Sequence, residues 1–180
     1  VHDLLAHGHD VRERVRAMRL ALFGGVYSNP RALAAVLADA DARGADHAWC
    51  LGDLGGFGPD PEGAAALLRG RGVPMLQGNY DHSLAHGLAD CACGYTDPRD
   101  EHFAQVSYDF TDARTGAATR EWLRALPPQA RLEAGGRRVL LCHGSPRRVN
   151  EFLWDSRCSD AFLEWLLREF EADVIACTHT

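Results

Sequence analysis

Residues 47–61 read HAWCLGDLGGFGPDP, and this stretch decides the fold. His47–Leu51 is a short apolar run of strand length. Gly52 and Asp53 end it in a loop. Asp60 and Pro61 then carry the chemistry of a helix start, a capping carboxylate followed by a proline in the first turn. Strand, glycine-rich loop and helix in so short a span are one step of an alternating α/β chain.

The same alternation extends in both directions. Arg19–Phe23 is an apolar strand. Pro30–Arg43 follows as a helix with Leu33, Val36 and Leu37 at helical spacing and Asn29 as its N-cap. Asp60–Arg69 is the second helix and Val73–Leu76 the third strand. Residues 80–118 are rich in Gly, Asp, Cys and Tyr, show no clear period, and are expected to form a long irregular insertion with a strand at 105–110. Ala118–Leu126 is a helix stopped by Pro127–Pro128. Arg131–Leu132 and Arg138–Cys142 pair as a hairpin through Gly135–Gly136. Ser159–Phe170 is a helix with Leu163, Leu166, Leu167 and Phe170 on one face, and Val174–Cys177 is the last strand. The pattern predicts an α/β domain with a largely parallel core sheet, without internal repeats.

Composition sets the outer limits. The chain has 180 residues, 46% hydrophobic and 24% charged, the balance of an ordinary globule rather than of a disordered or fibrous chain. No apolar run approaches the length of a membrane span. The net charge is -6, unsuited to sequence-independent nucleic-acid binding. All 19 basic residues are Arg, which excludes Schiff-base and P-loop lysine chemistry. Cys50, Cys142 and Cys177 lie in apolar runs and read as small buried hydrophobes, so a reducing, cytoplasmic setting is expected. Residues 1–17 read as an N-terminal extension without the apolar segment of a signal peptide. Met18, just before the first strand, is either the natural start or follows a weak helical extension.

The chemistry sits where the strands end. The second strand runs into Gly52-Asp53, the third into Gly78-Asn79-Tyr80-Asp81, a later one into His143-Gly144-Ser145-Pro146, and the last into Thr178-His179-Thr180. In an open α/β sheet the carboxyl ends of the strands share one crevice. Four strands therefore deliver Asp53, Asn79, His143 and His179 to one edge. A carboxylate, an amide oxygen and two imidazoles suit Zn, Mn, Fe or Ni better than Ca or Mg. Each piece alone is an ordinary turn or loop; their joint occurrence at successive strand ends carries the argument.

Arranged in this order, these motifs resemble the calcineurin-like metallophosphoesterase superfamily, over roughly residues 19–180. Leu51–Pro59 (LGDLGGFGP), Val73–Asp81 (VPMLQGNYD) and Leu140–Pro146 (LLCHGSP) support the likeness. The resemblance implies a four-layer sandwich, two β-sheets flanked by helices, with a two-metal site that clamps a phosphoryl group and activates water. It implies that Asp53 bridges the metals and that Asn79, His143 and His179 complete the second metal's ligand set, Thr178 standing where the family has Gly. It also implies further strands beyond Thr180, so that this chain presents an unpaired edge and tends to self-associate.

The first metal's motif, Asp-x-His, falls on Gly25 and Tyr27. The reading is therefore a single ion of Mn, Fe or Zn rather than two. Tyr27 either fills the vacated space or binds a ferric ion through its phenolate. Tyr80 stands at the family's catalytic His. It either donates a proton to the leaving group or packs over its loop, with Asp81 as the residue that orients it. Arg147 and Arg148 either grip a phosphate or form an exposed pair, and Asn29 joins them as a substrate-binding candidate. His82 and His86 lie near the third motif, as assistants or as solvated side chains. Cys91 and Cys93 read as a metal pair, a redox pair or, preferred, a structural loop that lids the crevice. The expected activity is hydrolysis of a small phosphorylated substrate. A catalytically inactive relative that binds a ligand or partner in the same crevice is the alternative, and a metal-dependent hydrolase of another bond a third.

Overall fold

The structure, a computed structural model, describes residues 18–179. The expectations for residues 1–17 and for Thr180 lie outside them. Two sheets form the frame. In the first, β1 (Leu20–Phe23) pairs in parallel with β2 (His47–Cys50). The expected third strand at Val73–Leu76 contributes a single parallel bridge, Cys50 to Met75. In the second sheet, β3 (Gln129–Ala134) and β4 (Arg137–Cys142) form the antiparallel hairpin, and β5 (Val174–Ala176) joins β4 in parallel.

The helices α1 (Pro30–Ala42) and α2 (Pro61–Gly70) begin as the sequence predicts. Asn29 accepts from Ala32 N at 3.0 Å and Asp60 from Gly63 N at 2.8 Å, each satisfying a donor that the first helical turn leaves open. The region from 80 to 118 departs from expectation. It holds α3 (Asn79–His86), α4 (Pro98–Asp112) and the start of α5 (Ala117–Arg124), and no strand at 105–110. Asp97 caps α4 by accepting from Arg99 N and Asp100 N, Pro98 opens it, and Ala104, Tyr108 and Thr111 turn one stripe inward. That spacing is helical. The last helix, α6 (Asp160–Glu169), is capped by Ser159.

Two apolar clusters hold these layers together. The larger lies beneath the helices, where Leu33, Leu37, Leu68, Tyr80, Leu84 and Tyr108 pack with Cys50 and Met75. The smaller lies between the sheets: Leu51, Leu76, Val139 and Leu141, with Trp49, Leu132 and Ala176 against them. On the far side of the second sheet, Leu163, Leu166 and Leu167 of α6 line a groove with Val174, Ile175 and Cys177. The resulting α/β architecture of two sheets with flanking helices brings the ends of β2, β4 and β5 and the start of α3 to one edge. No helix among the described residues is long and apolar enough to cross a membrane.

Candidate metal centre

Two loops must approach closely to form this edge. Gly52 has φ +103, and a Cβ there would lie 2.7 Å from both Gly78 N and His143 Nδ1, so only glycine admits the neighbouring strand ends. Asp53 follows with φ 55, a left-handed conformation that Asp tolerates better than most residues. Its Oδ1 accepts from Tyr80 N at 3.1 Å, which leaves Oδ2 facing inward.

Four side chains then converge. His143 Nε2 lies 3.1 Å from Asn79 Oδ1, 3.2 Å from Asp53 Oδ2 and 3.2 Å from His179 Nδ1. His143 Nδ1 lies 2.8 Å from the Leu51 carbonyl, which can only accept, so Nδ1 carries a proton and Nε2 is the nitrogen turned to the cluster. Asn79 is fixed likewise: its Nδ2 donates to Cys91 O at 2.8 Å, turning Oδ1 to the cluster. All four residues are buried. Acceptor atoms facing one another across about 3 Å repel unless a positive charge, a proton on Nε2 or a metal ion, lies among them. Bonds of about 2.0–2.1 Å to a transition metal put neighbouring ligand atoms about 3.0–3.4 Å apart. The observed spacings fall in that window, so the donor set fits one such cation.

Electrostatics separate the two imidazoles. Burial works to lower the His143 pKa, but the hydrogen bond and charge of Asp53 outweigh it and the net direction is up. His179 is held below its usual range by burial and by His143 beside it. Its Nε2 is buried without a hydrogen-bond partner among the described residues, and its ring stacks on Phe152 at 4.3 Å.

The other expected site residues are placed differently. Asp81 is fully buried. Its carboxylate accepts from Asp53 N (2.8 Å), Leu54 N (3.0 Å), Gly55 N (3.4 Å) and Gly78 N (2.9 Å), so it fastens the two ligand loops together. Burial first and the Asp53 charge second push its pKa up to about 6. Tyr80 is fully buried, with its ring among Phe57 and Tyr108 and its hydroxyl 3.4 Å from Ser107 Oγ. The hydroxyl is turned toward Ser107 of α4, and it is the Tyr80 backbone N–H that serves Asp53.

Arg147 is committed to Glu151 and lies over the rings of Phe162 and Trp165. Arg148 is exposed, and its backbone N donates to Ser145 Oγ. Asn29 spends its side chain on the α1 cap. The rings of His82 and His86 lie tilted 4.4 Å apart on an exposed face of α3, with His82 bonded to Gln77. Cys91 and Cys93 are joined by a disulfide, and Cys50, Cys142, Cys158 and Cys177 are free. The positioning groups at Leu51, Tyr80 and Cys91 are main-chain atoms, for which side-chain identity gives no signal.

The first motif is closed by a ring. Gly25 has φ +60, and a Cβ there would lie 2.9–3.0 Å from Tyr27 Cζ, Cε2 and Oη. The Tyr27 ring therefore occupies the space a side chain at position 25 would enter. Tyr27 itself has φ 50, is 39% exposed, and packs edge-on to Phe57 at 5.3 Å. Burial, then Asp53 and Tyr95, hold its hydroxyl above the usual phenol range.

Known proteins share this frame. A protein of Methanocaldococcus jannaschii described as uncharacterized is 26% identical over 145 residues, 79% of this chain and 57% of that protein. The crystal structure of a metallophosphoesterase from Sphaerobacter thermophilus matches with a TM-score of 0.63 and 27% identity, covering 89% of this chain and 60% of that one. A hypothetical protein from Pyrococcus horikoshii shares the fold, with a TM-score of 0.71 at 20% identity over 89% of this chain and 68% of that one. The chain thus spans about three-fifths of the length of the first two. The calcineurin-like phosphoesterase superfamily domain matches residues 18–180, nearly all of the sequence, and the chain belongs to that superfamily.

Proposed function

We propose that this chain is a metal-dependent hydrolase of small phosphate esters that works with one divalent transition-metal ion, held by Asp53, Asn79, His143 and His179. The observation that carries this is the meeting of Asn79 Oδ1, Asp53 Oδ2 and His179 Nδ1 within 3.1–3.2 Å of His143 Nε2. A bound ion of this kind supplies Lewis-acid stabilisation of phosphoryl charge and lowers the pKa of water. The chain's own part is to hold the donors: Leu51 sets the His143 tautomer, Tyr80 N orients Asp53, and Asp81 fixes both loops. The Tyr27 hydroxyl, protonated at neutral pH, is a phenol that a bound phosphate oxygen can meet.

The net charge of -6 supports small substrates over nucleic acid. Hydrolysis of p-nitrophenyl phosphate and of its bis ester, with added Mn, Fe or Zn, tests the reading. We expect metal-dependent turnover that His143→Ala abolishes together with about one equivalent of bound metal. Turnover indifferent to metal and to His143→Ala would overturn it. The second reading, an inactive relative that binds a ligand in the crevice, is favoured by Tyr27 in the first motif and by the buried Tyr80. It predicts one equivalent of metal, firm phosphate binding and no turnover.

A further inference from the structure

The Cys91–Cys93 loop supplies no donor to the cluster, yet it leans on two that do. Asn79 Nδ2 donates to Cys91 O at 2.8 Å and lies 3.6 Å from Cys93 Sγ. A carbonyl oxygen only accepts, so this bond decides which end of the amide faces His143. If the Cys91 carbonyl moved away, the amide would be free to turn its NH2 toward the cation, which repels it. The loop also reaches the opposite side of the cluster. Ala92 O accepts from Asn150 Nδ2 at 3.0 Å, and Gly94 lies against the Phe152 ring that stacks on His179.

The loop keeps a conformation that its sequence does not favour. Ala92 has φ 51, in the left-handed region that alanine disfavours. The disulfide closes the chain on either side of Ala92, and the Asp90 carboxylate accepts from Ala92 N at 2.7 Å. The Asp90 and Asn150 bonds hold Ala92, whereas the disulfide ties Cys91 itself, the residue whose carbonyl holds Asn79. Both sulfur-bearing residues are buried against the cluster.

We propose that the Cys91–Cys93 bond is a positioning device for Asn79, so that the cation affinity of the site follows the redox state of this pair. In the oxidising direction the two thiols lose two protons and two electrons as their S–S bond forms. A low-molecular-weight disulfide takes these up, its own S–S bond breaks, and two free thiols leave. A reductant reverses the step. The inference rests on the reading of the cluster as a cation site.

The test uses the full chain, oxidised with glutathione disulfide or reduced with a phosphine that is then removed without air. Each form is titrated with Mn2+, an ion that thiols themselves bind poorly. We expect Mn2+ to bind at least about tenfold more weakly after reduction, the scale of losing a partner that orients a metal ligand. Cys91→Ser/Cys93→Ser binds like the reduced form under both treatments. Cys158→Ser keeps the response, because its thiol takes no part. Asn79→Ala binds weakly and loses the response. Equal affinity in the two states, or a response that survives Cys91→Ser/Cys93→Ser, overturns the coupling and leaves the cation site standing. No Mn2+ binding in either state overturns the cation site and the coupling together.

Discussion

The two halves of this crevice are built by opposite physics. On one side Asp53, Asn79, His143 and His179 bring lone pairs to a point, and each is held there by an outer hydrogen bond or a stacked ring. On the other, where the superfamily pattern calls for two more ligands, an aromatic ring lies in space left by a glycine. One half is costly to assemble without a positive charge; the other is complete without one. The contrast is between converging polar atoms and aromatic packing, and motif counting alone does not reveal it. The space beside Gly25 is taken by the Tyr27 ring, which a Cβ at position 25 would meet.

The comparison breaks most readily at Asp81. Asp81→Ala leaves four backbone donors in the ligand loops unpaired, and a loss on the order of 3 kcal/mol in urea unfolding is expected, with loss of cation binding. If binding survives that change, the loops are not what holds the donors in place. On the packed side, Gly25→Ala forces a Cβ into the Tyr27 ring at a positive φ and is expected to cost about 1–3 kcal/mol. Tyr27→Ala in the same chain should recover much of that cost, and a cycle of the two changes measures their coupling. Simple additivity would mean that the ring does not fill the site.

Tyr27→Phe sharpens the contrast further. It removes the hydroxyl and keeps the ring, so Mn2+ affinity should not change, and no phenolate-to-metal absorption should appear with ferric ion in the wild type. The smallest effect is expected far from both halves. Arg138 grips Asp173 through two side-chain contacts at 3.2 and 3.0 Å and holds its pKa down at about 2. A carboxylate with a depressed folded pKa stabilises above its unfolded pKa of about 3.9 and loses that contribution as pH falls toward 2. Asp173→Asn should therefore lower the urea midpoint slightly at pH 7, and by progressively less as pH falls from about 4 toward 2. The pair is exposed, so the shift is small.

The order of strands and helices was legible wherever periodicity and caps agreed, as at Asn29–Pro30, Asp60–Pro61 and the Gly135–Gly136 turn. It failed at 105–110. There Val106, Tyr108 and Phe110 alternate with Ser107 and Asp109 as a strand would, while the residues that turn inward, Ala104, Tyr108 and Thr111, keep helical spacing. The four converging donors were legible because each ends a strand or opens a helix next to a turn. Tyr80 was not, because its ring direction depends on α4, which the sequence reading did not contain. Nor were the carbonyls of Leu51 and Cys91, since main-chain atoms carry no residue signature.

The converging donors come from positions 53, 79, 143 and 179, so they bring together segments that lie far apart along the chain. An ion at that point acts as a staple across the polypeptide. It stabilises only the assembled state, by an amount that grows with the logarithm of its concentration above Kd. Chelation should then lower the melting temperature of the whole domain, and the short β5 with the segment that carries His179 should be the first part to come loose.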